Sequence, residues 1–95
     1  MLRDNNTAIL MNSVSPNPFR NGISVSVDLP SSQEIKLMLV DASGRILISK
    51  TVQGVEGVNK NITLTGLDRF PKGIYALRVT GNNVFVQEKM VKIEN

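Results

Sequence analysis

Apolar residues recur at every second position along most of this chain, and clusters of Gly, Pro, Asn, Asp and Ser interrupt them roughly every ten residues. That pattern predicts an all-β sandwich or barrel and no amphipathic helix. A first strand is expected over residues 8–14, carrying Ile9, Leu10, Met11 and Val14, and Pro16-Asn17-Pro18 ends it. The two prolines withdraw two backbone donors and hold Ser15 and Asn17 extended, so no regular ladder continues through them. After an Asn21-Gly22 turn, Ile23, Val25, Val27 and Leu29 alternate with Ser24, Ser26 and Asp28, the cleanest half-buried strand in the chain.

Pro30-Ser31-Ser32 turns into a strand over residues 34–41. Ile35, Leu37 and Leu39 share one face and Lys36, Met38 and Val40 the other, so apolar groups on both faces place this strand inside a sheet. Asp41-Ala42-Ser43-Gly44-Arg45 is a hairpin turn, because the Asp41 carboxylate can accept from the backbone two residues on and Gly44 can take positive φ. A strand over residues 46–52 returns antiparallel. Residues 53–61, with Gly54 and Gly57, are expected as a longer loop, and residues 60–64 as a short strand with Ile62 and Leu64 inward. Leu67 and Phe70 plug the end of the sandwich. Tyr75, Leu77 and Val79 share a face of the sixth strand, and Gly81-Asn82-Asn83 turns it into the seventh. No single register suits that last strand: Val84 and Val86 point inward with Glu88, whereas Phe85, Val91 and Ile93 do so with Gln87 and Lys89. A bulge near Gln87-Glu88-Lys89 is expected to reconcile the halves.

Composition narrows the chemistry. Ninety-five residues with 41% apolar and 20% charged side chains suit one globular domain. With no Cys, there is no disulfide, thiolate nucleophile or thiolate metal site. With no His, the usual general base, a Ser-His-Asp arrangement and most zinc sites are excluded. The glycines are isolated and form no phosphate-cradling loop, and Asp28, Asp41, Glu56 and Asp68 are not spaced as a calcium loop. No enzymatic activity, cofactor or metal is therefore expected. No basic helix or paired aromatic platform speaks for nucleic acid, and no run approaches the ~20 apolar residues that span a bilayer. The first seven residues lack the apolar core of a signal peptide, and Met1 reads as a start placed on a fragment of a longer protein. Residues 1–68 hold six Lys/Arg against six Asp/Glu, and residues 69–95 hold five against two, so the whole net charge of +3 lies in the last 27 residues, around the final hairpin.

Four segments, taken in order, spell a known pattern: Ser15-Pro16-Asn17-Pro18-Phe19, Leu39-Val40-Asp41-Ala42-Ser43-Gly44-Arg45, Lys72-Gly73-Ile74-Tyr75-Ala76-Leu77-Arg78-Val79, and Lys89-Met90-Val91-Lys92-Ile93. From about Val14 onward the chain resembles the type A C-terminal sorting domain of the type IX (Por) secretion system of Bacteroidota. The resemblance implies an Ig-like antiparallel sandwich of about seven strands, with residues 1–13 a linker remnant and start of the first strand and residues 14–95 the sorting domain. It implies a tag on an N-terminal cargo, in transit through the periplasm, recognised by type IX translocon and shuttle proteins, and removed by a sortase-like cysteine peptidase at the cell surface. Carried over by position, Pro16, Asn17, Pro18, Asp41, Gly44 and Arg45 match the structural motifs. Gly73, Tyr75, Arg78, Lys89 and Lys92 are candidates for recognition by the secretion machinery. The tail Ile93-Glu94-Asn95 departs slightly from members that stop near the last Lys.

Each motif also has a plain structural reading. The prolines are a stiff connector, Asp41 to Arg45 is turn chemistry, Gly73 admits a bend and Tyr75 is a core residue with its hydroxyl at the edge. Lys89 and Lys92 on a last strand also guard an edge against aggregation, and unpaired edges leave a strand-exchanged dimer open. The alternative function is a non-catalytic Ig- or fibronectin-like accessory module, or a carbohydrate-binding module, of a secreted enzyme. With no Trp and only Phe19, Phe70, Tyr75 and Phe85 as aromatics, the chain is poorly equipped to stack sugars.

Overall fold

A computed structural model describes residues 8–82 and 85–93 of the chain. Its strands are β1 (Leu10–Ser15), β2 (Gly22–Leu29), β3 (Gln33–Asp41), β4 (Ile46–Gly54), β5 (Gly57–Thr65), β6 (Gly73–Thr80) and β7 (Phe85–Lys92), with one 3₁₀ turn over Leu67–Arg69. They form two antiparallel sheets, β1-β2-β5 and β4-β3-β6-β7. The expected all-β, seven-stranded antiparallel sandwich is what the chain forms. Residues 1–7, Asn83, Val84, Glu94 and Asn95 lie outside the described residues, and with them the proposed linker, part of the β6–β7 turn and the end of the tail.

The period-2 patterns become the core directly. Ile23, Val25, Val27 and Leu29 from β2 meet Ile35, Leu37 and Leu39 from β3 and Tyr75, Leu77 and Val79 from β6 in one cluster. β3 lies between β4 and β6, as its two apolar faces require, and its Met38 and Val40 are buried on the outer face as well. Leu67 plugs the sandwich end at full burial, while Phe70 is half-buried with the Arg69 guanidinium 5.0 Å from its ring centroid.

Three expectations are corrected. First, β1 runs to Ser15 and its register shifts between Met11 and Ser13, so Met11 and Val14 both reach the core while Leu10 is exposed. Second, residues 53–61 are not a long loop. β4 continues to Gly54 and β5 starts at Gly57, because the Asn59 side chain closes the corner: its Oδ1 accepts from Val55 N at 3.0 Å and its Nδ2 donates to Val55 O at 2.8 Å and Gly57 O at 3.0 Å. Side-chain amides that replace backbone partners leave no trace in hydrophobic periodicity. Third, β7 has no bulge. Its register with β6 is unbroken from Thr80↔Phe85 to Gly73↔Lys92, so Val86, Glu88, Met90 and Lys92 share one face and Phe85, Gln87, Lys89 and Val91 the other. Phe85 and Val91 thus point outward, and Met90 takes the core position.

The two ends of the sandwich differ. At the end where β2 finishes and β3 begins, buried Gln33 donates from Nε2 to Ser31 O (3.1 Å) and accepts at Oε1 from Asn82 N (2.9 Å), tying two turns together. Gly81 makes room for it: a Cβ there would collide with Gln33 Oε1 and lie 2.9 Å from Ile9 Cδ1. Gly81→Ala is expected to cost about 1–3 kcal/mol of stability through this overpacking, measured by urea unfolding. An unchanged unfolding midpoint would show that the Gln33 clamp is not needed.

Candidate functional site

The four motifs, up to 78 positions apart in the chain, meet at the opposite end of the sandwich, where β3 finishes at Asp41 and β6 begins at Gly73. The central turn closes around a single carboxylate. Asp41 Oδ1 accepts from Ser43 N (3.0 Å), Ser43 Oγ (2.7 Å) and Arg45 N (2.9 Å), and Gly44 sits at φ 93°. The Arg45 side chain returns to Oδ2 at 3.4 Å. The Ser43 hydroxyl first, then the Arg45 N–H, hold the Asp41 carboxyl below its ordinary pKa.

The opening motif does more than stiffen the chain. Both Ser15-Pro16 and Asn17-Pro18 are cis, and the segment leaves β1 to lie along the outer edge of β7. Asn17 acts as a substitute peptide unit: Oδ1 accepts from Val91 N (3.1 Å) and Nδ2 donates to Lys89 O (3.2 Å). One step on, Phe19 N donates to Val91 O (2.8 Å) and Phe19 O accepts from Ile93 N (3.0 Å), a parallel bridge centred on Lys92. These bonds satisfy edge groups of β7 that a terminal strand would otherwise present to other chains.

Phe19 is fully buried and packs edge-on against Tyr75, with ring centroids 6.0 Å apart. Tyr75 pairs with Asp41 across β3 and with Met90 across β7, and its hydroxyl donates to Pro71 O, the tyrosine-corner arrangement of Ig-like sandwiches. Burial, with the Asp41 charge second, raises the phenol pKa, which keeps it a neutral donor. Gly73, opposite Lys92, adopts φ 151°, which side chains rarely take, as the chain turns into β6.

The five recognition candidates all fall on the β6–β7 hairpin but divide between its faces. Lys92 is 1% exposed, on the core side, and its ammonium reaches Ile93 O at 3.5 Å. With Arg20, Lys72 and Gly73 it lines an open cleft of about 470 Å³. Tyr75 is also inward. Arg78 and Lys89 stand on the outer face, where Arg78 Nε donates to Gln87 Oε1 (3.1 Å) and its guanidinium lies 5.3 Å from the Phe85 ring centroid. Phe85, the most exposed aromatic, is thereby partly covered. Lys89 and Lys92 therefore present no common basic stripe. An odd spacing between them, three residues on a strand, already implies opposite faces.

Sequence reasoning missed the Asn17 contact with β7, the Gln33 clamp and the approach of Arg20 and Lys72 to Lys92. An Asn between two prolines carries a signal for it, since an amide there has no ladder of its own to serve. Among the described residues no group of three or more acidic side chains could hold a metal, and no helix is long and apolar enough to cross a membrane.

A protein-family model described as the secretion system C-terminal sorting domain matches residues 13–94. No curated protein and no solved structure matches.

Asn17→Ala is expected to cost about 1–2 kcal/mol, for two lost hydrogen bonds, and to speed amide exchange at Val91 selectively. Equal exchange in both proteins would show that Asn17 does not hold the strand. The Asp41 turn is tested by pH. A carboxyl with a depressed folded pKa contributes stability that is fully present above its unfolded value of about 3.9 and is lost as pH falls through the folded value. The stability gap between the wild type and Asp41→Asn should therefore be widest near neutrality and shrink below about pH 4. A gap that stays constant with pH, in parallel denaturant titrations, contradicts the assignment.

Proposed function

The chain belongs to the family of secretion system C-terminal sorting domains of the type IX (Por) pathway, and from that premise we propose how its geometry serves as a tag. As a family member it is a sorting signal for export to the cell surface or the medium, carried by a fused cargo. In the finer reading, the tag folds in the periplasm at the C-terminal side of that cargo and is recognised there by shuttle and translocon proteins. A sortase-like cysteine peptidase then removes it at the surface. The tag itself is non-catalytic.

One observation carries this reading: the four family motifs converge on one end of the sandwich, while the chain enters β1 at the other, with Leu10 opposite Asp28 and Ile9 packed beside Gly81. A cargo joined ahead of Ile9 stands beside the Gln33 clamp and leaves the motif end open to a receptor. The arrangement also suits removal, since Ile9 is the first core residue described and a cut ahead of it spares the core cluster. The absence of cysteine makes folding independent of disulfide formation. Within the candidate set, Arg78 and Lys89 are reachable by a receptor in the folded tag. Gly73, Tyr75 and Lys92 act by holding the end of the hairpin in shape.

The test is a periplasmic reporter fused ahead of the chain in a type IX-competent strain. The fusion is expected at the surface or in the medium, the reporter alone in the periplasm, and both in the periplasm when the translocon is deleted. In a strain lacking the surface peptidase, exported reporter should retain the mass of the tag. Equal export with and without the chain contradicts the sorting role, and tag removal that persists without the peptidase contradicts the processing step.

A further inference from the structure

We propose that the outer face of the β4-β3-β6-β7 sheet docks an acidic, extended protein segment along the β6–β7 hairpin, with successive carboxylates on Arg78 and Lys89 and an apolar side chain over Ile74. This inference rests on the sorting role above and identifies the surface and the partner chemistry.

The strand registers lay out the face in rows. Ser49, Met38, Arg78 and Gln87 form one row, Ile46, Val40, Ala76 and Lys89 the next, and Ile74 and Val91 the one beyond. Over the small Ala76 lies a groove of about 370 Å³, lined by Val40, Ile74, Arg78, Gln87 and Lys89 and by the Asp41 turn, whose carboxylate is already taken up by Ser43 and Arg45. Ile46 and Ile74 are 52% and 53% exposed, so the apolar end of the face extends into solvent. Lys36, Arg78 and Lys89 supply its positive charge. Among the described residues Glu34 is its one acid not already committed, because Asp41 is engaged by its own turn. No ion pair reaches these three cations among the described residues.

Arg78 is prepared for a carboxylate. Phe85 under its plane and Gln87 on its Nε hold the guanidinium in place, and the terminal nitrogens remain for a planar anion. Arg78 and Lys89 are diagonal neighbours on adjacent strands, about 7–8 Å apart at the backbone. Carboxylates at alternate positions of an extended chain recur at nearly that distance, about 6.6–6.8 Å. Two residues further, the same segment reaches Ile74 and Val91. The complementary pattern is acid-x-acid-x-apolar. Pairing with the lower edge of β7 is not the route, because Asn17 and Phe19 already occupy it. An anionic membrane is the poorer fit, since surfaces that bind one gather about four to eight cations and this face has three around an apolar groove.

The probe is a nine-residue peptide with Glu-Thr-Glu-Thr-Leu at its centre, titrated to millimolar concentration against the labelled chain by NMR. Its controls are the same peptide with Lys in place of Glu, and phosphatidylglycerol vesicles. Amide shifts at Ala76, Arg78 and Lys89 with the Glu peptide alone, lost in Arg78→Glu/Lys89→Glu and kept in Lys60→Glu, are expected. No shift with the Glu peptide, equal shifts with the Lys peptide, or the same shifts with vesicles would each overturn the proposal. Far-ultraviolet circular dichroism checks that the variants fold, and Arg78→Gln/Lys89→Gln repeats the test with a milder change. In the export assay, Arg78→Glu/Lys89→Glu should lower export by about tenfold or more, as for loss of a charged docking contact, while Lys60→Glu leaves it unchanged. If the wild-type fusion is exported and the double variant matches it, the docking face fails alone. If the wild type is not exported, the sorting role fails.

Discussion

The last strand of a small sandwich is an edge, and everything at the functional end of this molecule depends on how that edge is closed. β6 pairs with β7 on one side, and Asn17 and Phe19 bond to it on the other. The partners on the second side come from the loop between β1 and β2, so the opening and closing segments of the domain act as one unit. Phe19 then carries the closure inward: its ring rests on Tyr75, which bonds to Pro71 and stands beside the Asp41 turn. A disturbance at Asn17 is therefore transmitted to the position of Lys89 and to the floor under Tyr75 through direct contacts.

This closure also explains the division of the basic surplus. A continuous register alternates faces, so Lys92 is drawn to the core side beside Met90, while Lys89 and Arg78 stand outside. Lys92 is buried at the hairpin's end, and Arg78 and Lys89 face outward. The sheet face that carries Arg78 and Lys89 is rigid, its registers unbroken from β3 through β6 to β7. Stability for that rigidity comes from the apolar core rather than from staples, because the chain has no disulfide and, among the described residues, a single surface ion pair of small value.

Much of the fold was legible in the sequence because burial in a half-covered sheet writes itself as alternation. β2 reads inward at Ile23, Val25, Val27 and Leu29, and β3 announces its interior place by apolar residues on both faces. The Asp41 turn was legible from residue chemistry, and the four family motifs pointed to the sorting role. What escaped was decided by side chains that stand in for backbone. Asn59 shortened an expected loop to a corner, Asn17 turned a connector into an edge partner, and Gln33 joined two turns through space vacated at Gly81. β7 lacks the expected bulge because its polar inward residue, Glu88, simply remains exposed, so alternation there does not separate core from solvent.

By itself, then, the order of residues determined the class of fold, the interior place of β3 in its sheet, the absence of thiol and imidazole chemistry and the family to which the chain belongs. All of these follow from local periodicity, turn stereochemistry and residue inventory, which act over a few neighbours. Only the tertiary structure decided which motifs meet, that Lys92 is interior while Arg78 and Lys89 share an outer face, and that the first loop closes the last strand. Those outcomes depend on contacts between segments up to 74 positions apart, where the geometry of two packed sheets, rather than the preference of any one segment, selects the partner.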